Sequence, residues 1–150
     1  MIAIYIDADA CPVRDEVYRV AERLGLGVFV VSNGSRPIRP SRDPRVHMII
    51  VGGGADAADH WIAEHIEPGD ICVTGDIPLA SRCLAKDALA LAPNGKIWTK
   101  DNIGNALARR EVSRHLRELG MTGGGAAAFS KADRSRFLQA LDKLVHAAKA

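Results

Sequence analysis

Five aspartates stand at chemically suggestive places in this 150-residue chain. Asp7 and Asp9 close an apolar run near the start, Asp56 and Asp59 follow a glycine triplet three residues apart, and Asp76 ends a second apolar run. Gathered carboxylates repel one another unless a proton or a cation intervenes, so three or more of them at one place suit a hard divalent ion, Mg²⁺ or Mn²⁺. Zinc is disfavoured because the set is aspartate and not histidine or cysteine. A structural role competes with this reading. Aspartate is a favoured helix N-cap, and Asp9, Asp56 and Asp76 each lie within a few residues of an expected helix start. Capping does not account for Asp7, which closes a strand. If the chain stays extended there, Asp7 and Asp9 share a side; Asp56 and Asp59 share one helical face.

The elements that would position these acids follow from periodicity. Ile2–Ile6 is a short β-branched run of the kind buried on both faces of a parallel sheet, and Pro12 opens a helix whose Val13, Val17, Val20, Ala21 and Leu24 repeat at helical spacing up to Gly25. Val28–Val31 and Val46–Val51 read as the next two strands, separated by an Arg/Pro loop. A helix capped by Asp56, a strand over Ile71–Thr74, a helix from Pro78 running to near Pro93-Asn94-Gly95, and an edge strand over Lys96–Thr99 come next. Asn102–Leu119 reads as a helix with Ala108, Val112, Leu116 and Leu119 on its apolar face, and Ser130 with Asp133 reads as a capping box opening a last helix. Strands alternating with helices at this spacing imply one α/β domain over 1–150, a three-layer sandwich with a mostly parallel sheet. The Gly/Ala stretch at 122–128 is expected to be mobile. In such a sheet, loops converge at the carboxyl ends of the strands, so all five acids can meet at one edge.

The chain resembles the bacterial YaiI/YqxD family, whose domain is grouped with the PIN-like nuclease fold. The likeness covers nearly the whole chain and rests on Ile6-Asp7-Ala8-Asp9-Ala10-Cys11-Pro12-Val13, Ala55-Asp56-Ala57-Ala58-Asp59, Val73-Thr74-Gly75-Asp76-Ile77-Pro78-Leu79-Ala80 and Phe129-Ser130-Lys131-Ala132-Asp133-Arg134. The resemblance implies a PIN-like sandwich whose strand-end acids bind one or two divalent ions and hydrolyse a phosphodiester, in RNA more than in DNA. Asp7 then looks like the first acid of the pattern and Asp76 like a later one, and the middle acid is Asp56 or Asp59; taken with the strand-end reading, Asp7, Asp9 and Asp76 are the expected catalytic acids and all five aspartates the expected metal ligands.

Charge supports a phosphate partner. Residues 1–100 carry a net −2 and residues 101–150 a net +4, and arginine, whose planar fork binds phosphate bidentately, supplies 14 of the 20 basic residues. Arg36, Arg39 and Arg42 in the loop and Arg109 and Arg110 on the late helix are the nucleic-acid contacts expected from this, against the plainer reading of solvated surface. Aromatic residues are scarce at 5%, which leaves few stacking platforms, and Trp61 and Trp98 read as core.

A rival scheme is a phosphatase of the haloacid dehalogenase type, because Asp7-Ala8-Asp9 is similar to that superfamily's nucleophile motif, with Ser32 as the phosphate-binding serine. Cys11, Ala80 and the lack of a lysine in a clear motif context depart from it. A non-catalytic metal-binding or nucleic-acid-binding module is the third class. Gly52-Gly53-Gly54 lacks the ending of a P-loop, and Cys11 has no nucleophile context. Three cysteines without paired spacing imply free thiols, and no run approaches the roughly 18 apolar residues of a membrane span, so the expected location is the cytoplasm.

Overall fold

The structure is a computed structural model that describes residues 2–8, 11–34, 38–54, 56–118 and 129–149. Asp9, Arg36 and the 122–128 stretch lie outside the described residues. The elements are β1 (Ala3–Asp7), α1 (Arg14–Leu24), β2 (Gly27–Ser32), β3 (Val46–Ile50), α2 (Ala57–His65), β4 (Ile71–Val73), α3 (Ile77–Ala85), β5 (Leu89–Leu91), β6 (Ile97–Trp98), α4 (Lys100–Glu118) and α5 (Lys131–Lys149). One six-stranded sheet runs in the order β3-β2-β1-β4-β5-β6, parallel throughout except for β6. Order reverses between β1 and β4. That is the switch point where the crossovers diverge and leave a crevice.

Side chains alternate across each strand, and the alternation separates the two helical layers. Ile4, Ile6, Val28, Val30, Ile71 and Val73 pack against α1 and α5, where Val17, Val20, Phe137 and Leu141 are buried. Tyr5, Val31 and Cys72 face the opposite way, against Ile62 and Ile66 at α2 and Leu79 and Cys83 of α3. α4 joins this second layer through Ile103, packed with Ala80, Leu84 and Ala90. The result is the expected three-layer α/β sandwich. α5 is opened by a reciprocal cap: Ser130 N donates to Asp133 Oδ2 at 2.9 Å and Asp133 N to Ser130 Oγ at 3.1 Å. Its Arg134 reaches Glu16 on α1 at 2.7 Å, tying the layer together.

Three expectations are corrected. The helix from Pro78 stops at Ala85, because Asp87 takes a left-handed φ of 63° and the chain turns into β5, a strand the apolar spacing of Leu84, Leu89 and Leu91 disguised as more helix. The edge strand is only two residues long and antiparallel. On α4 the buried face is Ile103 and Ala106, with Leu107 packed beside them, while Ala108 and Val112 are exposed. The antiparallel β6 returns the chain to the amino end of the sheet, where Lys100 pairs with Asp87 at 2.6 Å. From there α4 runs roughly 28 Å alongside strands of three to six residues, so its second half overshoots the sheet. Among the described residues no helix is long and apolar enough to cross a membrane. Cys11, Cys72 and Cys83 are free thiols.

Candidate functional site

Strand parity aims the acids. Residues 3, 5 and 7 of β1 alternate with Ile4 and Ile6, so Asp7 shares the side of Tyr5 and faces the layer of α2 and α3. Thr74, one step beyond β4, shares the side of Cys72 by the same rule. β1 and β4 are neighbours, and the Thr74 hydroxyl, 1% exposed, donates to Asp7 Oδ2 at 3.1 Å and accepts from Asp76 N at 2.9 Å. One buried hydroxyl therefore fixes the first and last acids of the set.

Asp76 is the N-cap of α3. Its Oδ1 accepts from Leu79 N at 3.0 Å, and Pro78 occupies the first turn. The capping explanation holds for that oxygen, and the Asp76 side chain also acts on Asp59, in the first turn of α2, where a hydrogen bond between the two contributes to the raised Asp59 pKa. Asp56 holds the N-cap position of α2, yet its side chain makes no capping bond. Capping thus explains one of the described acids. Buried Asp70 shows the contrast, since both its oxygens accept backbone amides, of Ala3 and Glu67, and it serves the fold.

Asp59 carries the electrostatic signature of the site. Its pKa is pushed up to about 7, by partial burial first, then by the negative charges of Asp7 and Asp76, the hydrogen bond to Asp76, and the charge of Asp56. Asp7, Asp56 and Asp76, from three separated segments, thus lie near enough for their charges to act on Asp59. Ala8 lies beyond the end of β1, and Asp9 is outside the described residues.

Three of these acids border a cavity of about 250 Å³ lined by Asp56, Asp59, Asp76, Leu79, Arg82 and Arg110, with His60 and Pro78 at its wall. Arg82 is a functional candidate that charge-run reasoning passed over, although Pro78, Leu79 and Arg82 share one helical face. It donates to His60 Nδ1 at 3.0 Å, which leaves the ring proton on Nε2. Arg110 stands at the cavity as expected, and Arg109 lines the adjoining one. Arg39 and Arg42 are exposed and line neither.

Among the described residues no group of three histidine, cysteine or carboxylate side chains is drawn together closely enough to grip an ion. In chemistry the donors fit a hard divalent cation, being carboxylate oxygens with no thiol among them. The thiol nearest the loop, Cys11, is pushed up to about 11, chiefly by burial, and is no nucleophile at neutral pH. Of the phosphatase scheme, Ser32 ends β2 buried next to β1. Lys86, however, donates to the carbonyls of Ala63 and Glu64 past the far ends of α2 and α3, away from Asp7. Gly53 and Gly54 take φ values of 108° and 103°, so the triplet serves the turn between β3 and α2.

An α/β sandwich with an acidic crevice at the switch point of its sheet is the class of protein the fold and site define. Within that class the chain belongs to the YaiI/YqxD family, described as an uncharacterised bacterial family, whose model matches residues 5–147. It is 60% identical to a UPF0178 protein of Paramagnetospirillum magneticum over 99% of this chain and 97% of that one. Identity to the UPF0178 protein of Rhodospirillum rubrum is 56%, covering 97% of each chain, and to that of Rhizobium meliloti 52%, covering 97% and 99%. No solved structure matches the chain.

Proposed function

We propose that this protein is a divalent-metal-dependent phosphodiester hydrolase of the PIN-like nuclease type, acting on RNA, with Mg²⁺ or Mn²⁺ as its cofactor. The observation that supports the reading is the raised pKa of Asp59, whose carboxyl is partly buried and feels the negative charges of Asp7, Asp76 and Asp56. Purely structural acids would be spent on backbone amides, as Asp70 is.

Asp7, Asp59 and Asp76 would hold the ion, with Asp56 at the rim and Asp9 entering from the loop after β1. When bound, such a cation supplies the positive charge that polarises a phosphoryl oxygen and acidifies a nearby water. To serve as a ligand Asp59 would have to lose its proton. Thr74 ties Asp7 to the Asp76 backbone through one buried hydroxyl, which would limit how far the two acids can move apart. Arg82 and Arg110 bring positive charge to the opposite wall, where they can bind the phosphate being cleaved. The amino end of α3, capped by Asp76, adds its partial positive charge on the side of the acids.

The test is cleavage of an unstructured, end-labelled RNA in Mn²⁺. The reading requires cleavage by the wild type and at least a 100-fold loss in Asp7→Asn and Asp76→Asn proteins that melt cooperatively. Cleavage that survives both substitutions, or never occurs, overturns it.

A further inference from the structure

A second cavity, about 450 Å³, opens beside the acids. Its walls are Gly75 and Ile77 at the β4-to-α3 junction, Trp98 on β6, and Arg109, Arg110 and Ser113 on α4. Arg110 borders both cavities, so the two adjoin at that side chain. Residues 106, 109, 110 and 113 fall at i, i+3, i+4 and i+7, one face of α4. Arg109, Arg110 and Ser113 are exposed there.

Charge divides sharply between the neighbours. The first cavity carries three aspartates, whereas none of the described residues lining the second is acidic and two are arginines. Lys96 adds a further cation, its Nζ 5.3 Å from the centre of the Trp98 ring. Trp98 itself is half-buried, backed by Ile77 and Leu107, which makes it a supported aromatic wall. Two forked cations beside an aromatic wall match a phosphate joined to a flat ring, and the volume lies within the roughly 300–1,000 Å³ of small-ligand sites.

We infer that this cavity is a nucleotide subsite: it takes one unpaired nucleotide of an RNA strand, with phosphate on Arg109 and Arg110 and base against Trp98, and delivers the adjoining phosphodiester to the acids. The inference rests on the hydrolase reading and narrows its substrate to single-stranded RNA, since a base can reach an aromatic wall only when unpaired and unstacked. Gly75 supplies the means of blocking the site. A Cβ built there meets nothing within 4 Å, and its backbone is not left-handed, so a larger side chain enters the cleft without straining the fold.

The experiment measures binding without cleavage, in EDTA, on a Trp61→Phe background so that emission reports Trp98 alone. Unlabelled hexauridylate should quench that emission saturably, and fluorescein-labelled hexauridylate should give the same midpoint by anisotropy. Gly75→Leu should weaken binding about tenfold, as should Trp98→Ala. Arg109→Ala and Arg110→Ala should each lower the slope of log affinity against log salt by roughly one. The same strand in a duplex should leave Trp98 emission unchanged. Equal binding by Gly75→Leu, or equal quenching by duplex, overturns the subsite. Loss of the subsite with Mn²⁺-dependent cleavage intact leaves the hydrolase standing, and binding without cleavage does the reverse.

Discussion

Asp7 and Thr74 lie 67 positions apart in sequence, yet the threonine hydroxyl donates to the aspartate at 3.1 Å from within a site where it is 1% exposed. The same oxygen accepts from the Asp76 amide. Thr74→Val keeps the shape and deletes both bonds, leaving a buried N–H without a partner. Stability should fall by about 2 kcal/mol, read from urea unfolding at pH 7, while Thr74→Ser should recover most of it. A valine variant as stable as wild type contradicts the bridging role.

The raised pKa of Asp59 gives stability a definite pH dependence. In the folded protein this carboxyl titrates at about 7, against about 3.9 when unfolded. Between those values the folded state holds the extra proton, so its stabilising contribution is full below the unfolded value and is lost as pH rises through 7. The effect is on the order of 1–2 kcal/mol once solvent screening is allowed for. Asp59→Asn should consequently melt higher than wild type at pH 8 and close to it at pH 4. A gain that is larger at low pH contradicts the assignment.

Adding the cofactor should stabilise what repulsion weakens. At about a hundred times its dissociation constant, Mn²⁺ should contribute about 2.7 kcal/mol and raise the melting temperature by roughly 5–10 °C. EDTA should reverse the shift, and Asp7→Asn should abolish it. An equal shift in wild type and variant would mark non-specific binding.

Arg134 and Glu16 form the clasp between α5 and α1. Glu16 is 6% exposed, and its second oxygen has no hydrogen-bond partner, so removing the arginine strands a buried charge. Arg134→Met should cost about 2–3 kcal/mol, and the added change Glu16→Gln should restore part of it in the same thermal melt. A double variant less stable than the single would argue against an uncompensated charge.

Much of the architecture could be read from periodicity, because a parallel sheet buried on both faces writes itself as apolar runs broken by turn residues. What escaped was set by tertiary geometry. Leu89–Leu91 has the composition of a helix continuation, and only the left-handed Asp87 ends that helix. Val112 fits an apolar helical stripe, but α4 outruns the sheet that would cover it. At the site, Asp7 and Asp76 were legible from their places at strand ends. Asp56 and Asp59 could not be separated by spacing, since they share a face; the packing of α2 over β1 and β2 turns Asp59 inward. Arg82 was visible only to someone who extended the face of Pro78 and Leu79 by one more turn.

The central claim is that a hard cation takes the place of the proton shared by Asp59 and Asp76. A crystal structure of the protein soaked in Mn²⁺, with anomalous data collected at the manganese edge, addresses it directly. The account requires an anomalous peak within coordination distance of Asp7, Asp59 and Asp76, with the Asp59–Asp76 hydrogen bond gone. Manganese absent from that crevice at saturating concentration, with the two carboxyls still bonded to each other, would contradict it.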